Sequence, residues 1–200
     1  MLSSDGSAQI SKPQIPSIQI VSSFSLPSTL SPFDVTSNSI VFATTNQKSP
    51  SVLHIVSLDD VFNSAIDFET PSSLEERVKT DHSSPIQCLK RYSSNKLVSA
   101  SKDSLKIWDV DGSNFACRDL MEDLGSTPHW VEFHESWVLV GLADSVVARN
   151  MDTLETTRFE GHLLRINQIA FFRSGWFLSV SDDRTFKGVP HPDSCREKSR

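Results

Sequence analysis

What this chain lacks narrows its function before any motif is read. Its 200 residues hold only three cysteines, one tyrosine and seven glycines, and acidic side chains outnumber basic ones by 25 to 19. Cys88, Cys117 and Cys195 are odd in number and widely spaced, which argues against a disulfide framework and for reduced thiols. No apolar run approaches the roughly 18 residues of a membrane helix, and no early one resembles a secretion signal. The expectation is a soluble protein of the cytoplasm or nucleus with no membrane partner. A formal charge of −6 supplies no general basic field for nucleic acid. No G-x-S-x-G elbow is present either, so the usual strand-to-helix setting of a serine nucleophile is missing.

What is present permits a buried core, since 38% of residues are hydrophobic and 22% charged. The informative stretch is Leu97–Val110, LVSASKDSLKIWDV. Its first residues alternate as in a strand, Lys102-Asp103-Ser104 makes a short polar turn, and Leu105, Ile107 and Trp108 open a second strand. The same pattern returns. His82 and His162 are 80 residues apart, as are Ser99 and Ser179, and Asp103 and Asp183. A worn copy lies halfway, where Trp137-Val-Leu-Val-Gly-Leu-Ala-Asp144 places an aspartate near the midpoint. The period is therefore close to 40 residues, the length of a four-stranded repeat.

With Asp81-His82 ahead of Ser99, Asp103 and Trp108-Asp109, and Gly161-His162 ahead of Ser179, Asp183 and Thr185, the chain resembles the WD-repeat family. The resemblance implies an all-β, incomplete β-propeller with blades of four antiparallel strands: three full blades and part of a fourth. It also implies that His82, Ser99, Asp103 and Trp108 form a structural hydrogen-bond network, repeated by His162, Ser179 and Asp183. Departures are plain. Val189-Pro190 stands where the fourth copy should carry Trp-Asp, Val140 replaces the serine in the third, and Arg149-Asn150 falls near its Trp position. Some family members join ubiquitin-ligase adaptors through W-D-x-R, but Val110-Asp111 follows Trp108-Asp109 here.

The rest of the chain is apportioned around these copies. Residues 1–16 form an expected disordered arm, and Ile18-Gln19-Ile20-Val21 offers a strand that could complete a final blade. The propeller region spans 17–188, with blades at 33–59, 82–120, 129–159 and 162–188. Residues 60–81 are an insertion, either a docking loop or an elaborated outer strand at Glu76–Thr80, and Ser73-Leu-Glu-Glu76 matches a helix capping box. Residues 189–200 form an expected disordered tail. Because the motif stops within a blade, the expectation is a truncated form of a longer protein, or a partial propeller completed by a partner.

The functional expectation is a non-enzymatic scaffold or adaptor that binds proteins or peptides within a multiprotein complex. By the resemblance, loops entering each inner strand and turns between the second and third strands would gather Lys102, Trp130, Arg165 and Arg184 on one partner-binding face. Two alternatives belong to other classes. A serine hydrolase could use Ser99 with His82 and Asp103, but such a set should occur once and not mid-strand. A nucleic-acid-associated subunit would need a local basic patch. His129 and His134 lack ligand spacing to Cys or carboxylate partners, so no metal and no cofactor is expected.

Overall fold

The computed structural model describes residues 32–36, 39–46, 49–58, 75–111, 114–173 and 175–190. The proposed N-terminal arm, the strand candidate Ile18–Val21, most of the insertion, Cys195 and the last ten residues lie outside them. The described residues contain fifteen strands in four antiparallel sheets, each sheet built from strands consecutive in sequence. Sheet 1 holds β1 (Phe33–Val35), β2 (Ser39–Asn46), β3 (Ser49–Ser57) and β4 (Glu75–Lys79). Sheet 2 holds β5 (Ile86–Arg91), β6 (Lys96–Ser101), β7 (Ser104–Asp111) and β8 (Asn114–Glu122). Sheet 3 holds β9 (Trp130–His134), β10 (Trp137–Gly141), β11 (Ser145–Asn150) and β12 (Thr156–Glu160). Sheet 4 holds β13 (Ile166–Arg173), β14 (Trp176–Ser181) and β15 (Phe186–Pro190).

The burial of each strand follows from its place in a stack of sheets. Sheet 1 meets sheet 2 through Val41, Ala43, Leu53 and Ile55 against Ile86, Leu89, Leu97 and Trp108. Sheet 2 meets sheet 3 through Val98, Ala100, Leu105 and Ile107 against Val131, Val138, Val140 and Val147. Sheet 3 meets sheet 4 through Trp137, Leu139, Val146 and Ala148 against Ile166, Ile169 and Phe177. A middle sheet must bury both faces, and β10 accordingly reads Trp-Val-Leu-Val-Gly, buried throughout. Gly141 is required there: a Cβ would stand 2.9 Å from Ile166 Cγ2. The first strands of successive sheets are neighbours, β1 beside β5, β5 beside β9 and β9 beside β13. No comparable contact joins β13 to β1 among the described residues.

One open alternative closes and one expectation needs correction. The outer-strand reading of the insertion's end is the one present: Glu75–Lys79 form β4, with Glu75 and Glu76 paired to Val56 and Ile55 of β3, and the four-residue capping-box match carries too little information to outweigh a partner strand. The Val189-Pro190 pair does not end the last sheet early, and residues 189–190 leave the expected tail for β15. Val189 pairs with Phe177 and Pro190 with Trp176, and a strand with one described neighbour tolerates a proline that cannot donate. Sheet 4 has no fourth strand among the described residues.

Candidate functional site

Each complete histidine set sits where a chain entry, a strand and a turn converge. His82 precedes β5 and is buried. Its Nδ1 faces Asp103 Oδ2 at 3.3 Å and its Nε2 faces Ser99 Oγ at 2.8 Å. The Trp108 indole N–H donates to the same Ser99 oxygen at 2.8 Å. The Ser104 hydroxyl stands 2.9 Å from His82 Nδ1 and reaches Asp103 Oδ2 at 3.0 Å; with Ser104 donating to the carboxylate, which can only accept, Nδ1–H faces two acceptors and Nε2 accepts from Ser99. The relay runs from Trp108 to Ser99 to His82 to Asp103, with no spare donor at the serine. Asp103 also accepts from the backbone N–H groups of Ser83 and Ser84. It thereby ties the β6–β7 turn to the segment entering β5.

The second set repeats this geometry. His162 Nδ1 lies 2.9 Å from Asp183 Oδ2, and Nε2 lies 2.9 Å from Ser179 Oγ. Leu163 N–H donates to Asp183 as Ser83 does to Asp103. Val189, which pairs with Phe177 as Trp108 pairs with Leu97, holds the tryptophan's place and brings no donor. In sheet 3, Val140 and Arg149 stand in the serine and tryptophan registers. Arg149 Nε donates instead to the Leu120 carbonyl at the end of sheet 2. Nothing equivalent to the serine relay exists in this sheet.

The electrostatics follow from these contacts. Burial holds the His82 imidazole below its usual range, partly opposed by the Asp103 carboxylate. Burial pushes Asp103 up, but hydrogen bonds from Ser101, the Ser83 N–H and Ser104, with the charge of His82, bring it down to about 2. Asp183 is held low by the Thr185 hydroxyl and the Leu163 N–H. Burial pushes the Cys88 thiol up to about 12, so it is not a ready nucleophile. Ser99 and Ser179 are 0% and 1% exposed. Neither serine is open to a substrate, and both sets occupy structural registers of paired strands.

Two further parts of the network escape sequence reading. The hydroxyls of Ser101 and Ser181, also 80 residues apart, each stand within hydrogen-bond reach of a carbonyl in the preceding entry loop, Ser84 and Leu164 respectively, and the Ser101 proton is shared between that carbonyl and Asp103. They lay outside the familiar motif positions, although their spacing carries the signal. Lys106 is buried in β7 and its ammonium meets Asp81 at 2.9 Å and also Asp119. Burial pushes Lys106 down, but these two carboxylates outweigh it and hold its pKa above the usual value. A lysine alternating with Leu105 and Ile107 gives no hint of that burial.

Of the four residues expected on a partner-binding face, three belong to the loops that gather around the histidine sets. Lys102 is exposed in the β6–β7 turn, and its carbonyl accepts from Leu124 N–H. Arg165 is exposed before β13, and its carbonyl accepts from Asp182 N–H, while its Nε donates to Asp182 Oδ2 at 2.9 Å. Arg184 is exposed in the β14–β15 turn with φ of 67°. The loop before β9 reaches Lys102 through Leu124 N–H and ends at His129, whose N–H donates to the Gly141 carbonyl; burial and then the charge of Arg165 hold its imidazole below the usual range, opposed by Asp182. Trp130 follows at the start of β9. It lines a cleft of about 480 Å³ along the inner strands with Phe33, Asp34, Gln87, Lys90 and His129. Lys90 Nζ stands 5.5 Å from the centroid of its ring and 3.5 Å from Glu132.

Solved structures with the same arrangement decide the fold. The computationally designed Ika4 protein superposes with a TM-score of 0.63 at 17% identity, over 88% of this chain and 99% of that one. The WD40 β-propeller domain of Doa1 superposes with a TM-score of 0.56 at 17% identity, over 80% of this chain and 49% of that one. This chain folds as a β-propeller. The designed Ika8 protein gives a TM-score of 0.58 at 19% identity, over 80% of this chain and 45% of that one. The propeller blades described here thus span about half the length of the Doa1 and Ika8 chains. No family model matches the sequence, and no curated protein matches it. Among the described residues of this propeller, no three His, Cys, Asp or Glu side chains converge as on a metal ion. No helix among them is long and apolar enough to cross a membrane.

Proposed function

We propose that this propeller is a non-enzymatic scaffold or adaptor whose loop face binds proteins or peptides within a larger assembly. The reading is supported by the exposure of Lys102, Arg165 and Arg184 in entry loops and inter-strand turns, and by the cleft that Trp130 lines along the inner strands. These side chains project from turns pinned by buried histidine–aspartate pairs, so little loop order has to be gained on binding. Arg and Trp are frequent interface anchors, and a rigid anchor in a cleft contributes most. We assign the histidine, serine, aspartate and tryptophan sets to bracing this platform.

The hydrolase reading is disfavoured because its serines are buried and the set is duplicated. A nucleic-acid surface is disfavoured because Asp182 pairs with Arg165 and leaves little net positive field. The test is a peptide-array screen with the full chain. Binders are expected whose affinity falls about tenfold or more in Trp130→Ala or Arg165→Ala, the scale of an anchor residue, with thermal unfolding unchanged in Arg165→Ala, whose side chain is exposed, and lowered in Trp130→Ala, which packs on the core of sheets 3 and 4. Ester or peptide turnover that is lost in Ser99→Ala, with no peptide bound, would overturn the assignment.

A further inference from the structure

The two complete histidine sets serve as controls for each other, and their surroundings differ where neither brace nor core requires it. The loop entering β5 carries Ser83 and Ser84 after His82, and the loop entering β13 carries Leu163 and Leu164 after His162. The backbone is held alike in both. Asp103 accepts from Ser83 N–H as Asp183 accepts from Leu163 N–H, and the Ser84 and Leu164 carbonyls face the Ser101 and Ser181 hydroxyls. Two serines therefore satisfy this loop, and the leucine side chains add nothing to it, since Leu163 is 84% and Leu164 52% exposed. The adjoining turns differ as well. Asp103 is followed directly by Ser104, which reaches His82 Nδ1, whereas Arg184 intervenes between Asp183 and Thr185, which reaches His162 Nδ1. This added arginine has a φ of 67°, in the left-handed region that glycine favours.

Isolated surface leucines are ordinary, but an adjacent pair fixed on a loop beside an added cation is not explained by the fold. The bonds from Leu163 N–H to Asp183 and from Asp182 N–H to the Arg165 carbonyl hold the leucine loop against the turn that carries Arg184. We propose that this loop and turn dock an amphipathic peptide segment of a partner protein, whose apolar side chains cover Leu163 and Leu164 and whose Asp or Glu carboxylate pairs with Arg184. The proposal rests on the scaffold reading above and names the chemistry of its partner. Charge complementarity selects an acidic segment: Arg184 makes no ion pair among the described residues, while Arg165 is already paired with Asp182. An anionic lipid surface fits less well. Such surfaces are bound by clusters of Lys and Arg, and here Asp182 offsets Arg165 on a chain of net charge −6. Because the loop is already fixed, little ordering has to be gained on binding.

Selection of a random peptide library on the full chain tests this directly. The peptides retained are expected to carry Leu, Ile or Phe beside Asp or Glu. Their affinity should fall about tenfold or more, the scale of an anchor, when Leu163→Ser and Leu164→Ser together restore the serine pair of the β5 loop, with thermal unfolding unchanged. Leu163→Ser alone, at the more exposed position, should weaken them too and keeps the test readable if the double variant is destabilised. Arg184→Glu should lose the acidic peptides and retain Lys- or Arg-bearing ones in a second selection. Peptides that bind the serine variants as tightly as the parent chain would overturn the proposal and leave the scaffold reading to Trp130 and Arg165. Retention of no peptide at all would overturn both. Peptides without carboxylates, or acidic ones indifferent to Arg184→Glu, would overturn the acidic partner. Binding to phosphatidylcholine–phosphatidylserine vesicles that is lost in Leu163→Ser, with no peptide retained, would mark a lipid site and overturn it as well.

Discussion

Trp108 and Val189 hold equivalent registers and differ in what they complete. The indole fills the contact between sheets 1 and 2 and donates to Ser99, whereas the valine supplies volume alone. Trp108→Ala is expected to cost about 3–5 kcal/mol, the range for truncating a buried aromatic. Val189→Ala, half-buried, should cost clearly less; chemical denaturation compares the two. Ser99→Ala removes the oxygen shared by Trp108 and His82 and leaves both buried groups unmatched. A loss of about 1–3 kcal/mol is expected, measured as a shift in denaturation midpoint at constant slope. Acid should act through the same residues. His82 is held below its usual 6.5 by burial, so the unfolded chain takes up the proton first, and stability should fall as pH drops from 7 through 6. Asp103 lies near 2 against 3.8 unfolded, so its contribution should be lost between about pH 4 and 2. His82→Gln should flatten the first of these slopes and, by removing the positive charge beside Asp103, also lessen the second.

Among the elements, β6 and β7 were legible because a serine, a turn aspartate and a Trp-Asp pair sit at fixed offsets along Leu97–Val110. The repeat distance carried the reading to β13 and β14, where Ser179 and Asp183 stand in the same frame. Sheet 3 was legible from its apolar runs and from Asp144 near the midpoint of the repeat, since Val140 and Arg149 had replaced the other markers. Strand β15 was not legible: its proline and small residues give a poor strand pattern, and pairing with β14 supplies what local preference does not. The burial of Lys106 was hidden for a related reason, because it depends on Asp81 and Asp119 arriving from other elements. Gly141 is the element-scale constraint that composition could not reveal. Gly141→Ala drives a methyl toward Ile166 and is expected to cost about 1–3 kcal/mol, as overpacking does. Ile166→Ala removes the Cγ2 methyl that the new Cβ meets, so thermal unfolding of the double variant should show a loss smaller than the sum of the two single losses.

At the scale of the whole molecule, four sheets recur because each uses one face to receive the sheet before it and the other to receive the next. The histidine sets lock chain entries to turns at sheets 2 and 4, in the segments that carry Lys102, Arg165 and Arg184. The exposure of Phe33 and Phe186 could not be read from residue types alone, because both have the same character as the buried residues in their registers. Only the packed stack distinguishes them. The most direct measurement of the recurrence is a long-range proton–nitrogen NMR spectrum of the imidazoles of His82 and His162. Both are expected to carry the proton on Nδ1, hydrogen-bonded to Asp103 and Asp183 and slow to exchange, with Nε2 accepting from the strand serine. Different tautomers at the two histidines, or rapid solvent exchange at both, would contradict a shared brace and the repeated sheet built around it.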